Sequence, residues 1–318
     1  MYRIALFAAL TLVLAVAGCT SPSPQSDGQQ PETEAAPQEA EQEEAAQEEA
    51  DQQPDTATPP QSWVDERTSE ARQRLSETEA GKLVLRSIEA HGGLSQWYSN
   101  GPLYFRFDYS PLGDKPGYDT YQTVDTWSSR ARQQMTEDRD KEFGWDGEKA
   151  WVLPKDAELP VNPRFWALTP YYFVAVPFVL ADEGVQLDKK GTAELHGREH
   201  DVIKATFSEG VGDSPDDYYV IYLDADTGHF GGLRYIVAYP GFFPDGGHSP
   251  EKLMVYEGEQ TVDGITFATD FSTYKWDAEA EERGEKVTEV KMSDVEFRPD
   301  TPDSYFDVPE GAKLIEGY

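Results

Sequence analysis

The chain has 318 residues and a formal net charge of −33, with 60 Asp and Glu against 27 Lys and Arg. So acidic a chain repels phosphate backbones and anionic surfaces, which argues against a nucleic-acid binder and against docking on anionic lipid by charge. With a single cysteine it has no internal disulfide to form, so any folded part must stand on an apolar core.

Met1-Tyr2-Arg3 opens the chain and the apolar run Ile4 to Val16 follows. That run is shorter than the roughly 20 residues a bilayer core requires. A positive start, a short apolar middle and the small residues Ala17 and Gly18 predict a removable signal. Val16-Ala17-Gly18-Cys19 resembles the bacterial lipoprotein signature, in which a thiol is acylated and the chain is cut just before it. The resemblance implies a signal peptide over 1–18 and a lipid anchor, of palmitate type, on Cys19. An ordinary cleaved signal with an incidental cysteine is the alternative. Thr20 is not Asp, which in the sorting rule of enteric bacteria implies the outer membrane, facing the periplasm. Acyl chains anchor a protein through about 0.8 kcal/mol per buried CH2.

Residues 20–62 hold no Lys, Arg or His and 11 acidic residues. Rich in Gln, Ala, Pro and Glu, they cannot bury enough apolar surface to offset the entropy of ordering. The reading is a lipidated Cys19 with a disordered acidic tether over 19–62, a coil of roughly 35–40 Å on average. The remainder, 63–318, carries 26 basic against 49 acidic residues, a net of −23. That excess resembles the surfaces of halophile proteins.

Residues 63–91 predict a helix. Ser76 or Thr78 can cap its main segment, Leu83, Val84, Leu85 and Ile88 give an apolar face, and His91-Gly92-Gly93 supplies the stop. The period then changes to two: Leu103, Phe105, Phe107 and Tyr109 alternate with Tyr104, Arg106 and Asp108. Strand patterns recur at 120–127, 131–136, 149–153, 185–190, 200–207, 218–224, 230–239, 252–259, 265–276 and 286–297. Turn signals such as Asp146-Gly147, Asp226-Thr227-Gly228 and Asp263-Gly264 separate them. Asn162–Leu180, dense in aromatic residues and Pro, reads as short helical turns. The expected fold is mainly β (α+β). It is one domain over 63–318: a long curved antiparallel sheet forming a half-barrel, with an N-terminal helix and a central helical insert.

These elements resemble the LolA/LolB-like superfamily of bacterial envelope proteins. The residues that carry the likeness are His91-Gly92-Gly93 with Trp97 soon after, the aromatic strand that follows, the hairpin Tyr222-Leu223-Asp224-Ala225-Asp226-Thr227-Gly228, and Gly264-Ile265 before a strand. The likeness covers most of 78–310 and implies an uncharacterised member: a half-barrel capped by helices around an apolar cavity that carries acyl chains, not an enzyme. The chain is more acidic than the family's usual members.

The concave face is the first candidate site. Phe105, Phe107 and Tyr109, with Leu233 and Tyr235, are expected to line a cavity for a hydrophobic small molecule or acyl chain. Phe165, Trp166, Phe173 and Phe178 are expected to form its lid. The competing reading is that these residues simply fill a core. Phe242 and Phe243, among turn formers, predict a loop that touches the membrane or gates the cavity; a loop folded back on the sheet is the alternative. The resemblance gives such a loop a membrane-contact role.

No HExxH, nucleophile elbow or phosphate-cradling loop occurs. His196 and His200 are spaced i,i+4 but lie in alternating sequence. Asp224-x-Asp226-x-Gly228 lacks the remaining ligands of a calcium loop. No cofactor, metal or nucleic-acid partner is expected, and the oligomeric state stays open. The leading expectation is a membrane-anchored envelope lipoprotein that binds or carries a hydrophobic ligand. The alternatives are a structural or interaction lipoprotein with a filled core, and an envelope hydrolase.

Overall fold

The computed structural model describes residues 55–208, 214 and 216–317. The expected signal, Cys19 and the tether up to residue 54 lie outside the described residues. Residues 55–62, assigned to the tether from the sequence, include part of the folded body. Ala57 is fully buried, its N–H donates to the Thr301 carbonyl at 2.8 Å, and its carbonyl accepts from Trp127 Nε1 at 2.9 Å.

The single N-terminal helix expected from the sequence is two helices, α1 (Gln61–Leu75) and α2 (Glu79–Ala90). Thr78 caps α2, accepting from the Gly81 N–H at 3.0 Å, and so ends one helix and starts the next. The corner is tight. A Cβ at Gly81 would lie 2.1 Å from the Leu75 carbonyl oxygen, so only glycine fits. At the far end Gly92 takes φ +116° and the Gly93 N–H returns to the Ile88 carbonyl at 2.9 Å. A third helix, α3 (Leu94–Ser99), follows directly.

Among the described residues fifteen strands follow, interrupted by a helical insert. The first wing is β1 (Leu103–Pro111), β2 (Tyr118–Val124), β3 (Ala131–Met135), β4 (Glu142–Trp145) and β5 (Ala150–Leu153). The insert holds α4 (Pro163–Trp166), α5 (Thr169–Val174) and a 3-10 turn (Phe178–Ala181). Then come β6 (Val185–Leu195), β7 (Arg198–Phe207), β8 (Tyr218–Asp224), β9 (Phe230–Tyr235) and β10 (Lys252–Glu257). The rest are β11 (Gln260–Val262), β12 (Ile265–Phe267), β13 (Asp270–Asp277), β14 (Glu282–Phe297) and β15 (Lys313–Ile315). Thirteen of them make one sheet in the order β15-β5-β4-β3-β2-β1-β14-β13-β10-β9-β8-β7-β6. Neighbours pair antiparallel throughout, and β15 and β6 remain as free edges, so the sheet is an open half-barrel and not a closed one.

The expected strand over 265–276 divides. Residues of β12 leave the main sheet to pair with β11. Ile265 and Phe267 are buried, Phe267 lies 6.2 Å from Trp97 between ring centroids, and the Thr266 N–H donates to the His91 carbonyl at 3.0 Å. The hairpin β11–β12 therefore packs at the α2–α3 junction.

Alternation sorts the sheet into faces. Leu103, Phe105 and Phe107 of β1 are buried while Tyr104, Arg106 and Asp108 are half-buried on the opposite face. The buried side joins Ile203, Ile221, Leu233, Met254, Phe271 and Val290 from other strands with Val64, Val84, Ile88 and Trp97 from the helices in one core. The helices and the insert thus cover one face, each large apolar side chain contributing about 1.5–3 kcal/mol by its removal from water.

Candidate ligand-binding face and its cover

β1 and β9 place Phe105, Phe107, Leu233 and Tyr235 on the covered face, and the insert places Phe178 against it; all five are buried. Tyr109, Phe165, Trp166 and Phe173 are half-buried at its margin. Phe178 stacks on Trp97 with centroids 4.4 Å apart and planes 4° from parallel. Phe173 meets Tyr235 at 5.2 Å, and Trp166 meets Tyr109 at 5.0 Å. The predicted lining and the predicted lid are therefore in contact with one another.

What fills this face is the protein's own side chains. Two hollows among the described residues lie elsewhere. One, of about 250 Å3, sits between α1 and the turn after β2. The other is an open groove of about 420 Å3 along residues 296–301. None of the predicted lining or lid residues borders either.

The insert is fastened by polar contacts that the aromatic pattern does not reveal. Gln133, fully buried on β3, donates through Nε2 to the carbonyls of Trp166 at 2.8 Å and Ala167 at 2.9 Å. Its Oε1 accepts from the Tyr118 hydroxyl. The Tyr256 hydroxyl donates to the Phe173 carbonyl at 2.9 Å, and the Tyr171 hydroxyl to the Thr126 carbonyl at 3.3 Å. Burial pushes the phenols of Tyr219, Tyr235 and Tyr256 up, so this face carries neutral hydroxyls and no charge from them.

Phe242 and Phe243 lie in the long connection from β9 to β10. Phe242 is 47 % exposed, yet its ring meets Phe165 at 4.9 Å and Tyr239 at 5.1 Å. Phe243 is half-buried. The loop therefore touches the insert while leaving part of Phe242 in solvent. It is tied down where the Asp217 carboxylate accepts from the Ala238 N–H at 2.6 Å. Sequence reasoning did not single out Gln133, a lone polar letter in a strand pattern, and it reads Asp217 only as the end of a solvated acidic loop, Asp213-Ser214-Pro215-Asp216-Asp217, whereas Asp217 is half-buried.

The remaining candidates are structural. Asp224 accepts from the Asp226 and Thr227 N–H groups at 3.1 and 2.8 Å and so shapes the hairpin turn. His91 is buried with Nδ1 2.7 Å from the Ser87 carbonyl, and burial lowers its pKa. His196 occupies the β6–β7 turn at φ 53°, while His200 is within β7, so the pair shares no helix. Among the described residues no group of three or more His, Cys, Asp or Glu is arranged to hold a metal.

No family model matches the chain, and no curated protein does. Solved structures do resemble it. A LolA superfamily protein from Nitrosomonas europaea is 11 % identical with a TM-score of 0.49, over 73 % of this chain and 98 % of that one. A DUF1329 family protein from Desulfovibrio piger is 12 % identical with a TM-score of 0.47, over 72 % and 97 %. A domain described as an outer membrane lipoprotein-sorting protein from Vibrio parahaemolyticus is 10 % identical with a TM-score of 0.45, over 72 % and 97 %. The solved structures similar to this chain thus include a protein of the LolA superfamily, the group its sequence resembles.

Proposed function

We propose that this is a membrane-anchored lipoprotein of the bacterial envelope, held through Cys19 at the outer membrane, that binds a lipid, acylated or other hydrophobic ligand on the covered face of its half-barrel. The observation that carries the reading is the cover itself. The covered face is apolar with its phenols neutral, and a separate segment, 163–181, closes it with side chains that a ligand can replace. On this reading the bound chain enters where Phe165, Trp166 and Phe173 now rest, with the loop of Phe242 and Phe243 as gate or membrane contact. It is a binder and not a catalyst. Burial of an acyl chain would be driven by its apolar area, at about 25 cal/mol per Å2.

The second reading, an interaction lipoprotein with a filled core, is favoured by one observation: the insert's rings pack directly on those of the core, Phe178 on Trp97 and Phe173 on Tyr235. Native mass spectrometry after gentle purification separates the two. Carriage predicts co-purified lipid, or saturable uptake of a fluorescent fatty acid. A clean apo mass with no uptake rejects it. Replacing Phe242 and Phe243 by Ser is expected to leave folding intact and to slow transfer of ligand to liposomes; unchanged transfer removes the gate. Cys19→Ser is expected to release the protein from the membrane fraction.

A further inference from the structure

The cavity of about 250 Å3 has a chemistry of its own. Trp63 of α1, Tyr98 of α3 and Trp127 of the β2–β3 turn line it. The Trp63 ring stands 5.1 Å from Tyr98 at 87° and 5.2 Å from Trp127 at 74°, an edge-to-face contact with each. Trp127 is held there by the bond from its Nε1 to the Ala57 carbonyl. Four carboxylates, Glu66, Glu70, Asp182 and Glu183, share the lining with one cation, Arg67. Arg67 is occupied by Asp182 at 3.2 Å and Glu183 at 3.5 Å. Glu66 and Glu70 are exposed and stand i,i+4 on α1, where like charges repel.

We propose that this cavity binds a quaternary ammonium group, the trimethylammonium end of a choline-type molecule, against the three aromatic rings with Glu66 and Glu70 at its mouth. Three features select that chemistry. The excess of carboxylates rejects anions. Arg67 engages Asp182 and Glu183, and the ring faces attract a large, weakly hydrated cation through the ring quadrupole. The volume exceeds what a single ion fills and suits a compact methylated head. The group can come from a free solute such as choline or from the headgroup of a choline lipid. Trp127, one wall of the cavity, is bonded to Ala57 near the N-terminal end of the described residues, so a lipid source would place headgroup recognition on the side of the proposed anchor.

Isothermal titration of the full-length chain with choline chloride and with tetramethylammonium chloride, against sodium chloride at equal ionic strength, tests this. Saturable one-to-one binding of both organic cations is expected. Trp63→Leu and Trp127→Leu are each expected to weaken it about tenfold. Because a tryptophan variant can fail to fold, the double variant Glu66→Gln, Glu70→Gln on the exposed helix face is the second arm. It is expected to keep the wild-type melting temperature and to weaken choline severalfold. No saturable heat, or affinity unchanged in the double variant, overturns the proposal. Flotation with phosphatidylcholine vesicles that free choline competes away assigns the source to the headgroup. Choline binding without flotation assigns it to the solute.

Discussion

Trp97 connects every layer of the fold through one side chain. It is 1 % exposed, stacks on Phe178 at 4.4 Å and meets Phe297 edge-on at 6.0 Å, so helix, insert and sheet share it. Trp97→Ala leaves a large void at their junction and is expected to cost about 3–5 kcal/mol, read from urea unfolding. Asp217 makes a different prediction. Partial burial raises its pKa from 3.8 to about 6. The carboxylate is then penalised in the fold relative to the unfolded chain. That penalty is complete above about pH 6, fades as pH falls, and is gone below the unfolded value near 4. Asp217 alone therefore makes the protein more stable from pH 7 toward pH 4. His91, whose pKa burial lowers, acts oppositely by losing stability below its unfolded value. The informative measurement is the difference in melting temperature between wild type and Asp217→Asn across this range, which is expected to shrink as pH falls. Neither role was legible. The alternation that identifies Phe105 and Phe107 reports only which face a residue takes, and burial of one Asp of an acidic loop or the neighbours of a Trp depend on contacts distant in sequence.

The insert is the element on which the ligand reading turns, and its attachment is polar as well as aromatic. Its density in Phe, Tyr, Trp and Pro made its helical character legible over 162–180. The clamp beneath it was not, because Gln133 reads as one polar residue in a short strand. Gln133→Leu keeps the volume and removes the donor, leaving the Trp166 and Ala167 carbonyls buried without that partner, each at about 1–3 kcal/mol. Part of that loss is relieved if the insert lifts. Faster amide exchange confined to 163–181, with β1 and β14 unchanged, is the expected outcome. Faster uptake of a fluorescent fatty acid by the same variant would tie the motion to binding. Exchange that rises everywhere would mean that Gln133 supports the whole sheet and not the cover. The other misread elements have local causes. β4 is four residues long and contains Gly144, where a Cβ would lie 2.3 Å from the Ala131 carbonyl oxygen; so close an approach requires the residue least suggestive of a strand. The helical pattern from 63 to 91 conceals its break because only the three-residue turn 76–78, closed by Thr78 and Gly81, separates the two helices.

The whole body was legible as a meander because nearly every strand pairs with a sequence neighbour. The exceptions, β1 on β14, β10 on β13 and β5 on β15, were beyond periodicity, and so was the charged cavity, whose walls come from 63–70, 98, 126–129 and 182–183. Composition does carry one prediction for the molecule as a whole. With a net of −23 over 63–318, many carboxylates have no cation near them and repel one another most strongly when compact. Salt acts in two opposing ways. It weakens exposed ion pairs such as Lys275–Glu285, 2.7 Å apart, but each of these contributes only about 0–1 kcal/mol. It also screens the repulsion among the unmatched carboxylates, as the Debye length falls from about 10 Å at 0.1 M to about 3 Å at 1 M. The excess of acids over bases makes the second effect the larger. The melting temperature is therefore expected to rise by several degrees between 0.1 and 1 M sodium chloride, with most of the gain below 0.5 M, where the screening length changes fastest. A melting temperature that stays level or falls would mean that the paired surface charges, and not the unpaired ones, govern how this acidic body holds together.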